Sequence, residues 1–425
     1  MAELTVFAAL LLGYALLSGI TQGTSLTAPM VFTAGGLALA ASGAGDLEGG
    51  VAGAAVRALA EASLALVLFT DAVRIDLRVL RREYHLPLRL LAIGMPAGIV
   101  LGTATGYGLL SGLALAEAAL LAAVLAPTDA ALGASVVSDR RVPVRIRQSL
   151  NVESGLNDGI AVPAVMVLVA LAAADEGLAG STWSWVGFTA RQIGIGVAAG
   201  AVLGWSCGWA LARADARGWV NATYRRLFTV GVAVLAYLGS EALTGNGFLS
   251  VFVAGLAFGA AARGQRRLVH QFAEREGEML TLLTFTVFGA AIIGPRLGDA
   301  DGWTVLYAAL SLAVVRPVAV AVATVGARLR LETVCFLGWF GPRGLASIVF
   351  ALLVVEESGI AAADRIMLVG GVTVLLSVFA HGATAAPWSR GFGRRAARYD
   401  RAAPEHQDVT VHHYRWHGPR GQDGA

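Results

Sequence analysis

Five polar residues stand close together in "NVESGLNDGIAVP", residues 151–163: Asn151, Glu153, Ser154, Asn157 and Asp158, at the head of an apolar run that continues to Ala174. On a helix each residue advances by about 100°, so Ser154 and Asp158, four apart, stack on one face and jointly offer oxygen ligands. Glu153 and Asn157 share a neighbouring face, whereas Glu153 and Asp158 stand about 140° apart around the axis. The two carboxylates therefore make no clamp on a single ion; one binds substrate and the other meets a partner helix. A carboxylate at mid-membrane costs roughly 3 kcal/mol on insertion scales, which marks both as functional residues. Hard oxygen donors select Na⁺, Li⁺, K⁺ or protons. Desolvation favours the protonated carboxyl and a bound cation favours the carboxylate. A lone Asp158 in a closed cavity then holds a proton or a metal cation, each displacing the other. If the protein reorients only when that charge is compensated, the competition becomes cation:proton exchange.

The expected partner of Glu153 is an intramembrane arginine. Arg316 in "ALSLAVVRPVAVAVA" and Arg343 in "CFLGWFGPRGLASIVFALL" both lie deep in apolar runs. Glu153 is assigned to Arg316 as a structural ion pair, which leaves Arg343 to hold broken helices and their carbonyls. Two spans carry such breaks. In "LLAAVLAPTDAALGASVV", Pro127 withdraws a backbone donor and Thr128 and Asp129 follow it. In the second, Gly338, Gly341, Pro342 and Gly344 surround Arg343. Carbonyls and amides freed in this way must line a cavity or meet another helix, and transporters place their sites at such discontinuities. Asp71, in "LALVLFTDAVRID", is open to two readings: an acid of the site, or an interfacial pair with Arg74 three residues on.

The elements that must position these residues are membrane helices. The 425 residues are 56% hydrophobic and 14% charged, a balance that fits a polytopic membrane protein and no soluble one. Apolar stretches lie near 5–21, 25–42, 55–73, 87–110, 114–137, 149–174, 187–211, 227–244, 246–262, 278–295, 303–326, 332–355 and 365–386, thirteen in all. The two broken spans are seven apart and so cross in opposite directions, as an inverted repeat requires. The fold expected is all-α, with about thirteen transmembrane helices, two of them discontinuous and crossing near the midplane. Arginines cluster after every second span: Arg74, Arg78, Arg81 and Arg82; Arg140, Arg141, Arg145 and Arg147; Arg213, Arg217, Arg225 and Arg226; Arg263, Arg266, Arg267 and Arg275; Arg328 and Arg330; Arg390, Arg394, Arg395 and Arg398. The loops between carry acids such as Asp175, Glu176, Asp299, Glu356 and Glu357. The alternation places the C-terminus in the cytoplasm and the N-terminus outside. Residues 1–388 form the transporter domain. Residues 389–425, with His406, His412, His413 and His417, read as a short disordered cytoplasmic tail. Cys207 and Cys335 fall in apolar segments and indicate no disulfide framework. The small net charge of +3 says nothing for nucleic acid.

"APTDA" in one span, "ESGLNDG" in the next, "VRP" in a later one and "GPRGLAS" after that resemble the sodium/proton exchanger family, the first branch of the monovalent cation:proton antiporters. The match runs through most of the spans in the same order, and Asn157-Asp158 is its most specific element. The resemblance implies interleaved core and dimerisation parts, a homodimer in the plasma membrane, and elevator-like alternating access. It makes Asp158, beside Asn157, the principal residue for ion and proton, with Ser154, Asp129 and the Thr128 carbonyl as further ligands for Na⁺, or for Li⁺ or K⁺. It also makes Asp71, shorter than the glutamate frequent in relatives, a peripheral acid of the site, and it pairs Glu153 with Arg316. Pro127, Gly341, Pro342 and Arg343 support the discontinuous helices. An Asn-Asp pair implies electroneutral one-for-one exchange, and no cofactor is called for. Two other readings compete: a proton-coupled transporter of another small solute, and an intramembrane aspartyl protease. "GLND" approaches one motif of such proteases, but the only "YD" (Tyr399-Asp400) lies in the tail.

Overall fold

Apolar runs inside a bilayer close their backbone hydrogen bonds within the segment only as helices. Every regular element among the described residues is helical. The computed structural model describes residues 2–21, 24–43, 50–75, 85–175, 182–262, 266–357, 360–400 and 402–407. Arg78, Arg81, Arg82, Glu176, Arg263, His412, His413 and His417 fall outside them. The helices are α1 (Ala2–Thr21), α2 (Ala28–Ala41), α3 (Gly50–Arg74), α4 (His85–Leu109), α5 (Leu115–Val124), α6 (Ala134–Val137), α7 (Val144–Asp175) and α8 (Thr182–Ala216). They continue with α9 (Ala222–Ala242), α10 (Gly247–Ala261), α11 (Arg266–Val287, extended by a π turn Phe288–Ile293) and α12 (Gly302–Thr324). The last three are α13 (Leu331–Trp339), α14 (Leu345–Glu357) and α15 (Ala363–Ala396). Joining α5 to α6 and α13 to α14 across their breaks gives thirteen spans at the places the hydrophobic runs predict.

Short polar side chains start several of them. Asn221 accepts from the Tyr224 amide at 3.0 Å, Asn246 from Leu249 at 2.9 Å and Asp301 from Thr304 at 2.7 Å, each satisfying a first-turn donor. Small residues then set how closely the helices approach. Gly196, Gly200, Gly204 and Gly208 form one stripe on α8. A Cβ on them would lie 2.9, 2.3, 2.2 and 2.9 Å from the carbonyls of Asn246, which caps α10, and of Ser250, Ala254 and Phe258 within it. The opposite side of the same contact chain repeats the device, since Gly255 and Gly259 of α10 meet the Phe69 and Val73 carbonyls of α3. α3 in turn brings Asp71 against Gly155 of α7, so this packing sets one wall of the polar centre.

Three π-helical turns interrupt the spans: Leu90–Gly94 in α4, Phe288–Ile293 in α11 and Ser311–Val315 in α12. Each ends two residues before a proline, namely Pro96, Pro295 and Pro317. A proline lacks the amide donor and clashes with the carbonyl four residues back, and a wider turn relieves that clash. α4 and α12 are seven spans apart and share the arrangement, π turn then Met95-Pro96 in one and Arg316-Pro317 in the other. This is a trace of the inverted repeat, with Arg316 standing where its counterpart carries a methionine.

The tail departs from expectation. The last helix runs on past residue 389 to Ala396. Residues 402–407 fold back, and Glu405 is fully buried. Its Oε1 accepts from the Arg330 amide and the Thr333 hydroxyl at the start of α13, both at 2.9 Å, where a negative charge is favoured by the exposed amides. Arg145 of α7 donates to the Pro404 carbonyl, and the His406 ring contacts the Ala396 carbonyl at 3.0 Å. A polar tail segment with no hydrophobic periodicity is thus ordered by buried hydrogen bonds rather than by apolar contact.

Candidate functional site

The two breaks meet each other. The Asp129 amide donates to the Pro342 carbonyl at 2.7 Å, joining the unwound segment after α5 to the one after α13. Phe340 (φ −79°, ψ 61°) is the centre of an inverse γ-turn, with the Gly341 amide on the Trp339 carbonyl at 2.8 Å. Half-helix ends carry partial charges, and side chains of the opposite sign answer them. Arg343, 4% exposed, donates from one guanidinium nitrogen to the Ala126 and Pro127 carbonyls at 2.8 and 3.1 Å. Asp129 answers the other polarity: its Oδ2 accepts from the Leu345 amide at 3.0 Å, at the start of α14. Its Oδ1 accepts from the Ala131 amide at 2.7 Å. Asp129 is therefore a buried residue of the crossing, each of its oxygens accepting from one amide.

Glycine makes this contact possible. A Cβ on Gly344 would lie 2.2 Å from Asp129 Oδ2 and 2.7 Å from its Cβ, and one on Gly341 would lie 2.5 Å from the Arg316 guanidinium. Gly344→Ala is expected to lower stability by about 1–3 kcal/mol, since Asp129 is pinned and cannot yield. Thermal unfolding checks this against Gly108→Ala, where nothing lies within 4 Å of the added methyl and stability is expected to hold or rise slightly.

α7 lies across the first break with its polar face inward. The Ser154 hydroxyl donates to the Thr128 carbonyl, and Asn157 Nδ2 donates to the Thr128 hydroxyl at 2.6 Å. Asn157 Oδ1 is buried and lacks a hydrogen-bond partner. Asp158 is 7% exposed, one helical turn beyond Ser154 on the same face. The structure thus brings Thr128, Ser154 and Asn157 together at unwound backbone, with Asp158 one turn beyond Ser154 on the same helix. Glu153 faces elsewhere: its Oε1 is 2.6 Å from an Arg316 nitrogen, and the two side chains are 3% and 7% exposed. Arg316 follows directly on the π turn of α12 and rests against Gly341, so the ion pair braces α7, α12 and the second break.

Asp71, buried, pairs with Arg74 at 3.5 Å, and it lines a cavity of about 20 Å³ with Arg74, Ala130, Asn151 and Gly155. A second cavity of similar size lies between α4 and α12, next to Arg316, Arg343 and Tyr307. Each is large enough for a water molecule. Sequence reasoning missed His381 and Ser377 of α15, which contact both ends of the second break. The only signal was a lone histidine in an apolar span.

Residues 6–391 match the sodium/hydrogen exchanger transmembrane family. The chain belongs to that family. Its exchanger relatives include the K⁺/H⁺ antiporter NhaP of Alkalimonas amylolytica, 26% identical over 294 residues, which are 68% of this chain and 50% of that one. The Na⁺/H⁺ antiporter ApNhaP of Aphanothece halophytica is 28% identical over 300 residues, 68% of this chain and 56% of that one. The chain spans about half the length of these curated relatives. Its fold matches the structure of the sodium proton antiporter MjNhaP1 of Methanocaldococcus jannaschii at pH 8, with a TM-score of 0.74 at 18% identity, over 92% of this chain and 99% of that chain. An exchanger of this family is a multi-pass membrane transporter and no enzyme, so the protease reading of "GLND" falls.

Proposed function

We propose that the protein exchanges a monovalent cation for H⁺ by alternating access, the two competing for Asp158. The observation that carries this reading is the lock between helices: Ser154 and Asn157 hold Thr128 of the first break, and Asp158 follows one turn beyond Ser154 on the same face of the helix. Oxygen donors of this kind suit Na⁺, Li⁺ or K⁺. The ligand set is Asp158, Ser154 and the Thr128 carbonyl, with Asn157 holding the threonine hydroxyl. Asp129 acts one step removed, as the anchor of the break, and Asp71 is a peripheral acid. A single titratable carboxylate in the Asn-Asp pair supports one-for-one, electroneutral exchange.

The C-terminus is assigned to the cytoplasm, a reading supported by the way arginine-rich segments converge: Arg145 on Pro404, Arg330 on Glu405 and Arg395 on Glu332. Homodimerisation and residence in the plasma membrane belong to the same proposal and rest on the family alone. Relatives are named for K⁺ and for Na⁺, and Na⁺ is the first cation to test. In inverted vesicles holding a pH gradient, added Na⁺, with Li⁺ and K⁺ in parallel, is expected to release protons, at a rate independent of an imposed membrane potential. Silence across the whole panel would contradict the reading.

A further inference from the structure

Two half-helix ends at the crossing are answered by Arg343 and Asp129. A third, the C-terminal end of α13, is answered by His381 of α15, a ring only 1% exposed. Its Nε2 lies 2.8 Å from the Trp339 carbonyl, whose other lone pair takes the Gly341 amide of the γ-turn. Both ring nitrogens face a carbonyl, Nε2 that of Trp339 and Nδ1 that of Ser377 at 2.9 Å, and we infer that the proton is on Nε2. Nδ1 of a neutral ring is then an acceptor, and the Ser377 hydroxyl stands 3.1 Å away. The Ser377 oxygen itself accepts from the Arg343 amide at 2.7 Å. In that tautomer the donors run one way: Arg343 N–H to Ser377 Oγ, Ser377 O–H to His381 Nδ1, His381 Nε2–H to the Trp339 carbonyl. The ends of this bridge, residues 339 and 343, are the two sides of the unwound segment. Trp339 is tied to α15 a second time, its indole donating to Thr384 Oγ1 at 2.9 Å and its ring lying 5.0 Å from the imidazole.

We propose that His381, acting through Ser377, is a positioning residue for the cation site. It clips the second break to α15, and so holds Arg343 on the Ala126 and Pro127 carbonyls that adjoin Thr128. The proposal rests on the reading of Thr128, Ser154 and Asp158 as the cation ligands. A ring that merely filled space would be replaced without loss by leucine. A ring that works by its Nε2 donor is mimicked by glutamine, whose amide nitrogen reaches a similar distance from the backbone.

The test joins a spectroscopic and a transport readout on the full chain. With ¹⁵N-labelled histidine, the resonances missing from the His381→Gln spectrum identify this ring. They are expected to show a protonated Nε2 and a bare Nδ1 throughout the neutral pH range. In vesicles, His381→Leu and Ser377→Ala are each expected to raise the half-saturating Na⁺ concentration about tenfold, the size of one lost buried hydrogen bond, with His381→Gln within about threefold of the parent. A proton on Nδ1, directed at the Ser377 carbonyl 2.9 Å away, overturns the clip. Parental half-saturation in both His381→Leu and Ser377→Ala overturns the positioning role. If the parent exchanges no cation, the functional reading fails, and the tautomer alone then decides whether the clip exists.

Discussion

Asp158→Asn is expected to abolish cation-driven proton release from inverted vesicles while leaving the protein folded and as stable as the parent. The two halves of this result have separate causes. Exchange disappears because asparagine neither binds a proton at neutral pH nor offers a charge to a cation. Stability is expected to hold because the substitution is isosteric and removes a buried charge. Asp158 sits on the face of α7 that Ser154 and Asn157 fasten to Thr128, and these two contacts do not involve its carboxyl. Proton release measured beside a thermal melt separates loss of function from loss of fold. An active Asp158→Asn variant would remove the central residue of the mechanism.

Glu153→Gln is expected to have the opposite character, with stability lost before activity is considered. Arg316 is 6% exposed, and its Nε and NH2 are buried without hydrogen-bond partners, so Glu153 is the charge that balances it. Removing one member of a buried pair costs about 3–5 kcal/mol, because the other charge stays behind in low dielectric. That loss is a large share of the stability of any domain. Glu153→Gln with Arg316→Gln removes both charges and is expected to recover part of it. The double variant needs only a thermal or denaturant melt. A double variant no more stable than the worse single one would show that the two side chains do not act as a pair.

Features governed by local chemistry were legible in the sequence. The thirteen spans follow from length and apolar content, and the breaks from Pro127 and from Gly341-Pro342. The 140° between Glu153 and Asp158 on one helix separated the ion pair from the site before any partner was known, and Arg316 is where Glu153 points. Features that depend on what another helix brings were not legible. Asp129 was named for its type and place, but that its oxygens meet the Leu345 and Ala131 amides emerges only once the two breaks cross. His381 carries no pattern of its own, since its meaning lies in the Trp339 carbonyl of a different span. Glu405 was assigned to a disordered tail because polar composition predicts disorder, whereas the open amides at the start of α13 give it a place to bind. The π turns had a trace in the sequence, an X-Pro step within an apolar run, but proline alone does not say whether a helix kinks, breaks or widens.

The account rests on one carboxyl that holds either a proton or a cation. The most direct measurement is the number of protons released when Na⁺, or the preferred cation of the panel, is added to purified protein in weakly buffered detergent. The expected result is one proton per cation bound, near the pH at which Asp158 is half protonated, and none from Asp158→Asn. Cation binding without proton release, or undiminished release from Asp158→Asn, would contradict it.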